Sequence, residues 1–524
     1  MDTPYTPSNQ TPQPDPQPPQ SPSRPTDPGT PFSGFIALSL TIIFAGGVIL
    51  WQNLPESTQY GMFNEAVPQT PITADTPAPG RFGQFDLPAR MFIRGHKLLT
   101  ELDSSQQSGS MSETVMSQFV AVYDPEDQIR TIIMSGEYEG PEQALDRIEA
   151  TRIEVIDRIA NKVEQEGAVT ETPDSNRYGL LLTELDTLQS IYTDGPDSVE
   201  QPMRDQLVAR YGILGQAALT HGMDDDDPRR KPLVTGFGWV ATLLFFMLAL
   251  VGFSFLAGIV LLVIGIVNLA SGKLRFRYEP PAPGGSVFLE TYGLFVAAFA
   301  VLSIGLFVLS IKVNPSLGVL SFPLQWVLML VPAWALLRGM KSRAWRQAIG
   351  LHTGEGVLKE IGCGFLVYLA SIPIFMVGLL ITIVVVIVQS LRATAQGLPP
   401  TPPTNPIFEI ISDSGPFVIL LVFSLATIWA PITEELIFRG ALYRHMRGRL
   451  HWVLAAFFSA ILFAYMHSYG PLMVAPLIAL GFMFAFMRQW RGSIIAPITA
   501  HFIHNATLVG FMIIFISLLK DPVI

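Results

Sequence analysis

The sequence has few charged residues and almost no cysteine. Charged side chains make up 15% of the 524 residues and hydrophobic ones 49%, a balance typical of membrane proteins. Cys363 is the single cysteine, so an intrachain disulfide and a multi-cysteine metal site are excluded. A His-Glu-x-x-His run is also absent. This removes the usual local zinc signature but leaves open a zinc site assembled from distant residues.

Long uncharged runs dominate what is present. Several reach the 18 or more residues that cross a ~30 Å hydrocarbon layer as a helix. Alternating strand patterns are scarce. We therefore expect an all-α fold, a polytopic membrane helical bundle of about nine or ten spans with an inserted soluble helical domain. Such a protein is integral to the lipid bilayer, with the bacterial plasma membrane as its expected location and no nucleic acid as a partner.

The acidic residues are concentrated in residues 56–231. This segment holds 31 acidic and 15 basic residues, a net charge of −16, whereas the rest of the chain carries +6. Its apolar residues recur with helical spacing, as Ile148, Val155 and Ile156 do on one predicted face. We interpret the segment as an acidic soluble helical domain.

Composition divides the rest of the chain. Residues 1–31 hold eleven prolines among polar residues, which predicts a disordered tail. Residues 32–54 follow without the basic start or cleavage site of a secretory signal and are predicted to form an uncleaved first span. Beyond the acidic domain, we expect an accessory transmembrane region at 233–343 and a second membrane domain at 344–519.

The run 233–270 is too long for one comfortable span at ~1.5 Å per residue. Gly252 lies near its middle, which favours a tight hairpin. Basic residues flank both ends, at 229–231 and 273–277, and the bias of Lys and Arg towards the cytoplasm then places both ends, with the acidic domain, inside. Later basic clusters at 338–346, 444–449 and 488–491 mark the same face.

Three polar sets interrupt the last four predicted spans. Each contains two residues four positions apart, which lie on one face of a helix. Counting along the helices from the basic loops places Glu434, His467 and His501 ~20, ~27 and ~15 Å deep, so all three can meet inside the membrane. The sets are Glu434/Glu435/Arg439, Phe463/His467 and His501/Asn505.

The spacing within the first set separates two carboxylates. Glu435 and Arg439 form an ion pair in the favoured order. Glu434 points ~100° away and is left to face a cavity, where a desolvated carboxylate suits a general base. His501 and Asn505 together offer hydrogen-bond donors for an oxyanion.

The three motifs, in this order on successive membrane helices, resemble those of the CPBP family of intramembrane endopeptidases. That family includes the type II CAAX prenyl endopeptidases and proteins linked to bacteriocin processing and immunity. The run Glu-Glu-Leu-Ile-Phe-Arg-Gly-Ala-Leu at 434–442 extends the match. The resemblance covers 344–519 and leaves the first half of the chain without an assignment.

The resemblance implies hydrolysis of a peptide bond in a membrane-associated or lipidated protein. Glu434 and His467 would activate water, and His501 with Asn505 would stabilise the tetrahedral oxyanion. The pair formed by Glu435 and Arg439 would support them.

The family is commonly described as metalloproteases. Glu434, His467 and His501 would then ligate a divalent ion such as zinc, and the sequence leaves both a metal-bound and a metal-free site open. Phe463 is interpreted as a packing residue, and a site role for His504, three residues after His501, also stays open.

Two rival hypotheses place no catalysis in the bundle. One is a membrane immunity or scaffold protein that binds a peptide or lipid in the polar cavity without turnover. The other is a secondary transporter, which would carry internal repeats with paired broken helices. The first half of the chain has no convincing repeat of the Glu-Glu segment, so the transporter ranks last.

Overall fold

The computed structural model describes residues 26–52, 89–95, 125–166, 173–395, 406–467 and 474–519, with four isolated positions between 54 and 62. In these residues the secondary structure is helical apart from one isolated bridge between Thr26 and Ala282, which confirms the all-α prediction. Seven of the described helices are long and apolar enough to cross a membrane, and Trp452–Tyr465 is a shorter apolar helix. The count of nine or ten spans stays a prediction.

The helices named below are numbered in chain order. They are α1 (Pro31–Gln52), α2 (Pro125–Tyr138), α3 (Pro141–Glu166), α4 (Pro173–Asp194), α5 (Gln201–Tyr211), α6 (Ile213–Ala218), α7 (Phe237–Ala270), α8 (Val287–Lys312), α9 (Leu317–Leu337), α10 (Val357–Ala395), α11 (Pro416–Arg447), α12 (Trp452–Tyr465), α13 (Val474–Arg491) and α14 (Ile495–Leu519).

Helix α7 contradicts the predicted hairpin. It is one helix of 34 residues, or about 51 Å at 1.5 Å per residue. Gly252 lies inside it and does not break it, because a continuous helix satisfies every backbone group in lipid and an uncharged turn would not. The two ends of α7 therefore lie at opposite ends of the bundle, and the hairpin prediction is wrong.

Four of the five basic clusters gather at one end of the bundle, called here the basic end and formed by residues 271–286, 338–356, 444–451 and 488–494, whereas the cluster at 229–231 lies at the other end of α7. The backbone N–H of Arg277 donates to the carbonyl of Trp490 at 3.1 Å. Arg491 bonds to Glu355 at 2.8 Å, and Arg338 bonds to Glu290 at 2.9 Å. These contacts tie the end of α7 and the segment before α10 to α13, and the end of α9 to α8.

Glu355 is the anionic centre of this end. Hydrogen bonds from Arg491 and Lys359, joined by one from Arg277, hold the pKa of Glu355 at about 2. The carboxylate therefore stays charged at any physiological pH.

Residues 27 and 28, just before α1, are also held at the basic end. Asp27 pairs with Arg444 at 2.8 Å, and the carbonyl of Pro28 accepts from the backbone N–H groups of Ser286 and Val287. The disordered tail predicted at 1–31 therefore does not extend through residues 27 and 28, which make these contacts. Residues 1–25 lie outside the described residues. Helices α1 and α8 start side by side here and run in parallel.

Residues 125–234, called here the helical region, pack α2 to α6 around their own core. Ile133, Leu185 and Leu214 are buried in that core. Ile148 and Val155 are buried as predicted, but Ile156 is 49% exposed, so the apolar stripe on α3 is narrower than its sequence indicated. Residues 96–124 of the predicted domain lie outside the described residues.

Ion pairs connect α2 to the segment that leads into α7. Arg230 and His221 both approach Glu137, at 2.8 and 3.5 Å. Burial acts to raise the pKa of Glu137, but hydrogen bonds from His221 and Arg230 outweigh it and leave that pKa below its usual value.

The helical region sits at the end of the bundle away from the basic clusters. Nη1 of Arg94 lies 3.4 Å from the carbonyl of Leu518, and Nη2 lies 3.4 Å from that of Pro232. Nη1 of Arg90 donates to the carbonyl of Leu519 at 3.1 Å. This contradicts the predicted placement of the acidic domain beside the basic loops, because that prediction relied on the hairpin in 233–270.

Candidate active site

Helix α11 is irregular around the Glu-Glu motif. It contains two π-helical segments, Leu425–Trp429 and Glu435–Leu442, and Pro431 lies between them. Proline has no N–H to donate to the preceding turn, so the local hydrogen-bond pattern must change there. Such π-helical turns inside α-helices occur frequently at functional sites because they redirect side chains.

The side chains of Glu435 and Arg439 form the predicted pair. Nη1 of Arg439 donates to Oε1 of Glu435 at 3.0 Å, and both side chains are fully buried. Nη2 of Arg439 donates to the carbonyl of Gly481 on α13 at 3.0 Å. Nδ1 of His501, on α14, lies 3.0 Å from the same carboxylate oxygen. One ion pair therefore joins three helices of the bundle.

Aromatic rings enclose the guanidinium of Arg439. Its central carbon lies 4.4 Å from the ring centre of Phe463 and 5.2 Å from that of Phe484. Cation–π contacts of this kind are strongest where water is excluded. Phe463 thus packs against the ion pair, in agreement with its interpretation from the sequence as a packing residue.

Glu434 faces the two histidines. Its Oε2 lies 3.9 Å from Nε2 of His467 and 3.9 Å from Nε2 of His501. Both distances are too long for a direct hydrogen bond. The carboxylate of Glu434 is 16% exposed, against 0% for Glu435, so the two adjacent carboxylates have separate environments.

Hydrogen-bond partners fix the tautomers of the two histidines. Nδ1 of His467 lies 2.8 Å from the carbonyl oxygen of Phe463, and because a carbonyl only accepts, Nδ1 must carry the hydrogen. Nδ1 of His501 donates to Glu435 by the same reasoning. In the neutral form, each ring therefore presents Nε2 as an acceptor towards Glu434.

These distances favour a bridging water over a tetrahedral zinc ion. Tetrahedral zinc ligands at bond lengths near 2.0–2.1 Å stand ~3.4 Å apart, whereas each histidine is 3.9 Å from Glu434. A water molecule with hydrogen bonds of ~2.8 Å spans 3.9 Å at an angle near ~90°. Within the described part of the chain, no three His, Cys, Asp or Glu side chains are grouped to hold a metal ion. The residues as arranged do not fit a resident zinc.

A cavity of about 220 Å³ opens beside these groups. Glu434 and His467 form its polar wall, while Phe295, Phe299 and Phe438 line its apolar side. It has room for several water molecules or an amino-acid side chain. Its remaining lining residues are Gln52, Gln325, Ile407, Trp429 and Met466.

Trp429 is a candidate residue that sequence reasoning missed. Its side chain is buried and lines the cavity, and among the described residues its Nε1 has no hydrogen-bond acceptor. Buried indole N–H groups usually have a partner. Its position in the sequence could have indicated a role at the site. Tryptophan is enriched at membrane interfaces, whereas Trp429 lies well inside α11.

The structure gives Asn505 and His504 contacts outside the cavity. Nδ2 of Asn505 donates to the carbonyl of Ala426 at 2.7 Å, so one of its two N–H groups supports the first π-helical segment. His504 lies 3.4 Å from the hydroxyl of Tyr368 and packs against Phe375. The structure places His504 between α10 and α14, away from the residues that line the cavity.

Residues 416–507 match the family model described as type II CAAX prenyl endopeptidase Rce1-like. The resemblance to the CPBP family is confirmed for these residues. The match to the CPBP family begins at α11 and ends within α14, so it includes every motif residue from Glu434 to Asn505. The helical region lies outside it.

Two curated relatives match part of the chain. An uncharacterized 24.3 kDa protein of Escherichia coli is 29% identical over 216 residues, which cover 36% of this chain and 95% of that protein. The uncharacterized protein YpbD of Bacillus subtilis (strain 168) is 32% identical over 93 residues, which cover 18% of this chain and 44% of YpbD. The chain thus spans less than half the length of YpbD. No solved structure matches the chain significantly.

Proposed function

We propose that this protein is an intramembrane endopeptidase that hydrolyses a peptide bond of a membrane-associated protein with water held between Glu434 and His467, beside His501. The observation that carries the proposal is the position of Glu434. It has 3.9 Å gaps to two histidine Nε2 atoms, lies in a cavity, and is separated from the neutralised Glu435. A structural carboxylate would instead be paired.

Glu434 is the general base of the proposed reaction. The water donates one hydrogen to Oε2 of Glu434 and the other to Nε2 of His467. As the water oxygen attacks the carbonyl carbon, Glu434 accepts the proton and the carbonyl oxygen becomes an oxyanion. Glu434 then delivers that proton to the amide nitrogen, the C–N bond breaks, and a carboxylic acid and an amine are formed. The carboxylic acid gives its proton to the amine, so that a carboxylate and an ammonium group are released.

The oxyanion requires a hydrogen-bond donor. The indole N–H of Trp429 points to this role, because it is a buried donor at the cavity. The imidazole of His501 contributes only when both ring nitrogens carry hydrogen, since Nδ1 already donates to Glu435. The second N–H of the Asn505 amide completes the set implied by the family.

The test is a comparison of membrane peptides in cells that make the wild type, Glu434→Gln or Glu279→Gln. Glu279 is an exposed residue at the basic end and serves as the matched control. Labelling of free amino termini should identify a cleaved membrane protein in wild-type and control cells that is uncut in Glu434→Gln cells. Equal cleavage in all three strains would rule out Glu434 as the base.

The same strains address the non-catalytic hypothesis. A binding or immunity protein should keep its phenotype when Glu434 becomes Gln, because the side chain keeps its shape and a polar end. An endopeptidase should lose it, since an amide cannot accept the proton from water.

A further inference from the structure

The cavity beside Glu434 reaches one end of the bundle. Helix α1 starts at the basic end, where Asp27 pairs with Arg444, and Gln52 is its last residue. Gln52 therefore lies at the opposite end, and it lines the cavity. Ile407 lies in the short helix Pro406–Asp413, just before α11 begins at that same end.

Towards the basic end the site is closed by packed side chains. Every residue of the second π-helical segment, Glu435–Leu442, is buried. Below it, the hydroxyl of Tyr443 donates to Gln489 at 2.8 Å, and Nη2 of Arg488 donates to the carbonyl of Ala348 at 2.8 Å. These buried hydrogen bonds join α11 and α13 to each other and to residue 348 between the site and the basic end.

The basic end marks the cytoplasmic side. Lys and Arg in the short loops next to membrane helices are retained in the cytoplasm during insertion, and the clusters at 273–277, 338–346, 444–449 and 488–491 lie at this one end. The cluster at 229–231 lies at the other end, where its three side chains are paired with Asp197, Glu137 and Asp226. The cavity opens at the other end, where Arg90 and Arg94 join the helical region to α14.

We infer that the site of this protein admits its substrate from the outer side of the membrane, at the end of the bundle that also carries the helical region. This inference rests on the proposed function and adds the class of substrate: a peptide segment on the extracytoplasmic side of a membrane protein. A cytoplasmic carboxyl-terminal tail would meet the closed side.

The mouth of the cavity suits a peptide backbone. Gln52 and Gln325 each place an amide in the lining, and an amide can both donate to and accept from a peptide group. Among the described residues, Oε1 of Gln52 is buried without a hydrogen-bond partner. The aromatic wall at Phe295 and Phe299 lies deeper and can receive an apolar side chain.

The direction of the opening can be measured by cysteine labelling. With Cys363→Ser as the background, spheroplasts carrying Thr193→Cys, Gln325→Cys or Ser342→Cys are treated with a charged, membrane-impermeant thiol reagent. Thr193 is exposed in the helical region and Ser342 is exposed at the basic end. Thr193→Cys and Gln325→Cys should react in intact spheroplasts, and Ser342→Cys only after permeabilisation.

A control on α9 separates a water-filled mouth from general exposure. Val327, two residues after Gln325, is 58% exposed on the apolar surface of the bundle. Val327→Cys should stay unreactive, because the thiolate that attacks the reagent does not form in lipid. Labelling of Ser342→Cys in intact spheroplasts, or protection of Gln325→Cys on the outer side, would overturn the inference.

Labelling does not depend on catalysis. It therefore tests the outward opening separately from the proposed endopeptidase activity. If the labels follow the expected pattern but Glu434→Gln changes no cleavage, the outward opening stands and the endopeptidase does not. If cleavage depends on Glu434 but the cut sites map to cytoplasmic segments, the endopeptidase stands and the outward entry does not.

Discussion

Nδ1 of His501 lies 3.0 Å from Oε1 of Glu435, the same oxygen that accepts from Arg439. Glu435 therefore holds His501, a residue of the proposed site, in one orientation while it neutralises the buried Arg439. Removing its charge should disturb both.

Glu435→Gln is expected to destabilise the protein by about 3–5 kcal/mol, because it leaves the Arg439 guanidinium buried without an anion. Thermal unfolding in detergent measures the loss. Glu435→Met combined with Arg439→Met should recover most of the stability, since a buried ion pair can be replaced by apolar groups of similar volume at little cost. It should not recover cleavage, because Met offers no hydrogen-bond acceptor to Nδ1 of His501. Full recovery of cleavage would contradict the orienting role.

His467→Asn is expected to fold normally and to lower kcat by about 10²–10⁴. The Asn amide can still donate to the carbonyl of Phe463, as Nδ1 of His467 does at 2.8 Å, but it offers nothing at the position of Nε2. Single-turnover cleavage of the identified substrate provides the rate, and the unfolding temperature checks the fold. A variant with wild-type kcat would exclude His467 from proton transfer.

Trp429→Phe keeps an aromatic ring in the cavity and removes only the indole N–H. If that N–H binds the oxyanion, kcat should fall by about 10²-fold while KM changes little. Trp239→Phe is the matched control, since Trp239 is 73% exposed on α7. A rise in KM at constant kcat would assign the N–H to substrate binding instead.

Chelators should leave cleavage unchanged. The 3.9 Å separations at Glu434 exceed those of tetrahedral zinc ligands, and the proposed steps use only protein groups and water. Activity after dialysis against 1,10-phenanthroline tests this expectation. Loss of activity that added zinc restores would show that the side chains rearrange around a metal.

Acid should weaken the basic end through Glu355. Its pKa is lowered from 4.5 to about 2 in the folded protein, so the folded state binds fewer protons than the unfolded state between these values. The stabilisation is complete above pH 4.5 and is lost as the pH falls through the folded pKa near 2. Unfolding temperatures of Glu355→Gln should therefore drop less than those of the wild type over this range. Parallel curves would contradict the assignment.

The membrane helices of the C-terminal half could be predicted closely from sequence, because apolar length and basic loops report them directly. The apolar runs at 287–311 and 493–519 each predict one span, and the structure has α8 at Val287–Lys312 and α14 at Ile495–Leu519. The run 233–270 was the exception. Its length and Gly252 suit a tilted helix and a hairpin equally, so composition could not choose between them.

Motif spacing identified the residues around the site but not their individual partners. The i, i+4 relation correctly paired Glu435 with Arg439, since helix geometry alone brings them together. The Nδ1 contact of His501 with Glu435 and the bond from Asn505 to Ala426 depend on how α14 packs against the π-helical turns. Gln52 lines the cavity although it lies nearly 400 positions before Glu434 in the sequence, and no local sequence pattern predicts this contact.

The carbonyl of Phe463 sets the tautomer of His467, while the ring of the same residue covers Arg439. A side-chain substitution can remove the ring, but it cannot remove a backbone oxygen. The tautomer of His467 therefore depends on where α12 ends. Substitutions at position 463 should leave this tautomer unchanged as long as the helix keeps its length, whereas insertion of one residue between positions 463 and 467 should remove the hydrogen bond that fixes it.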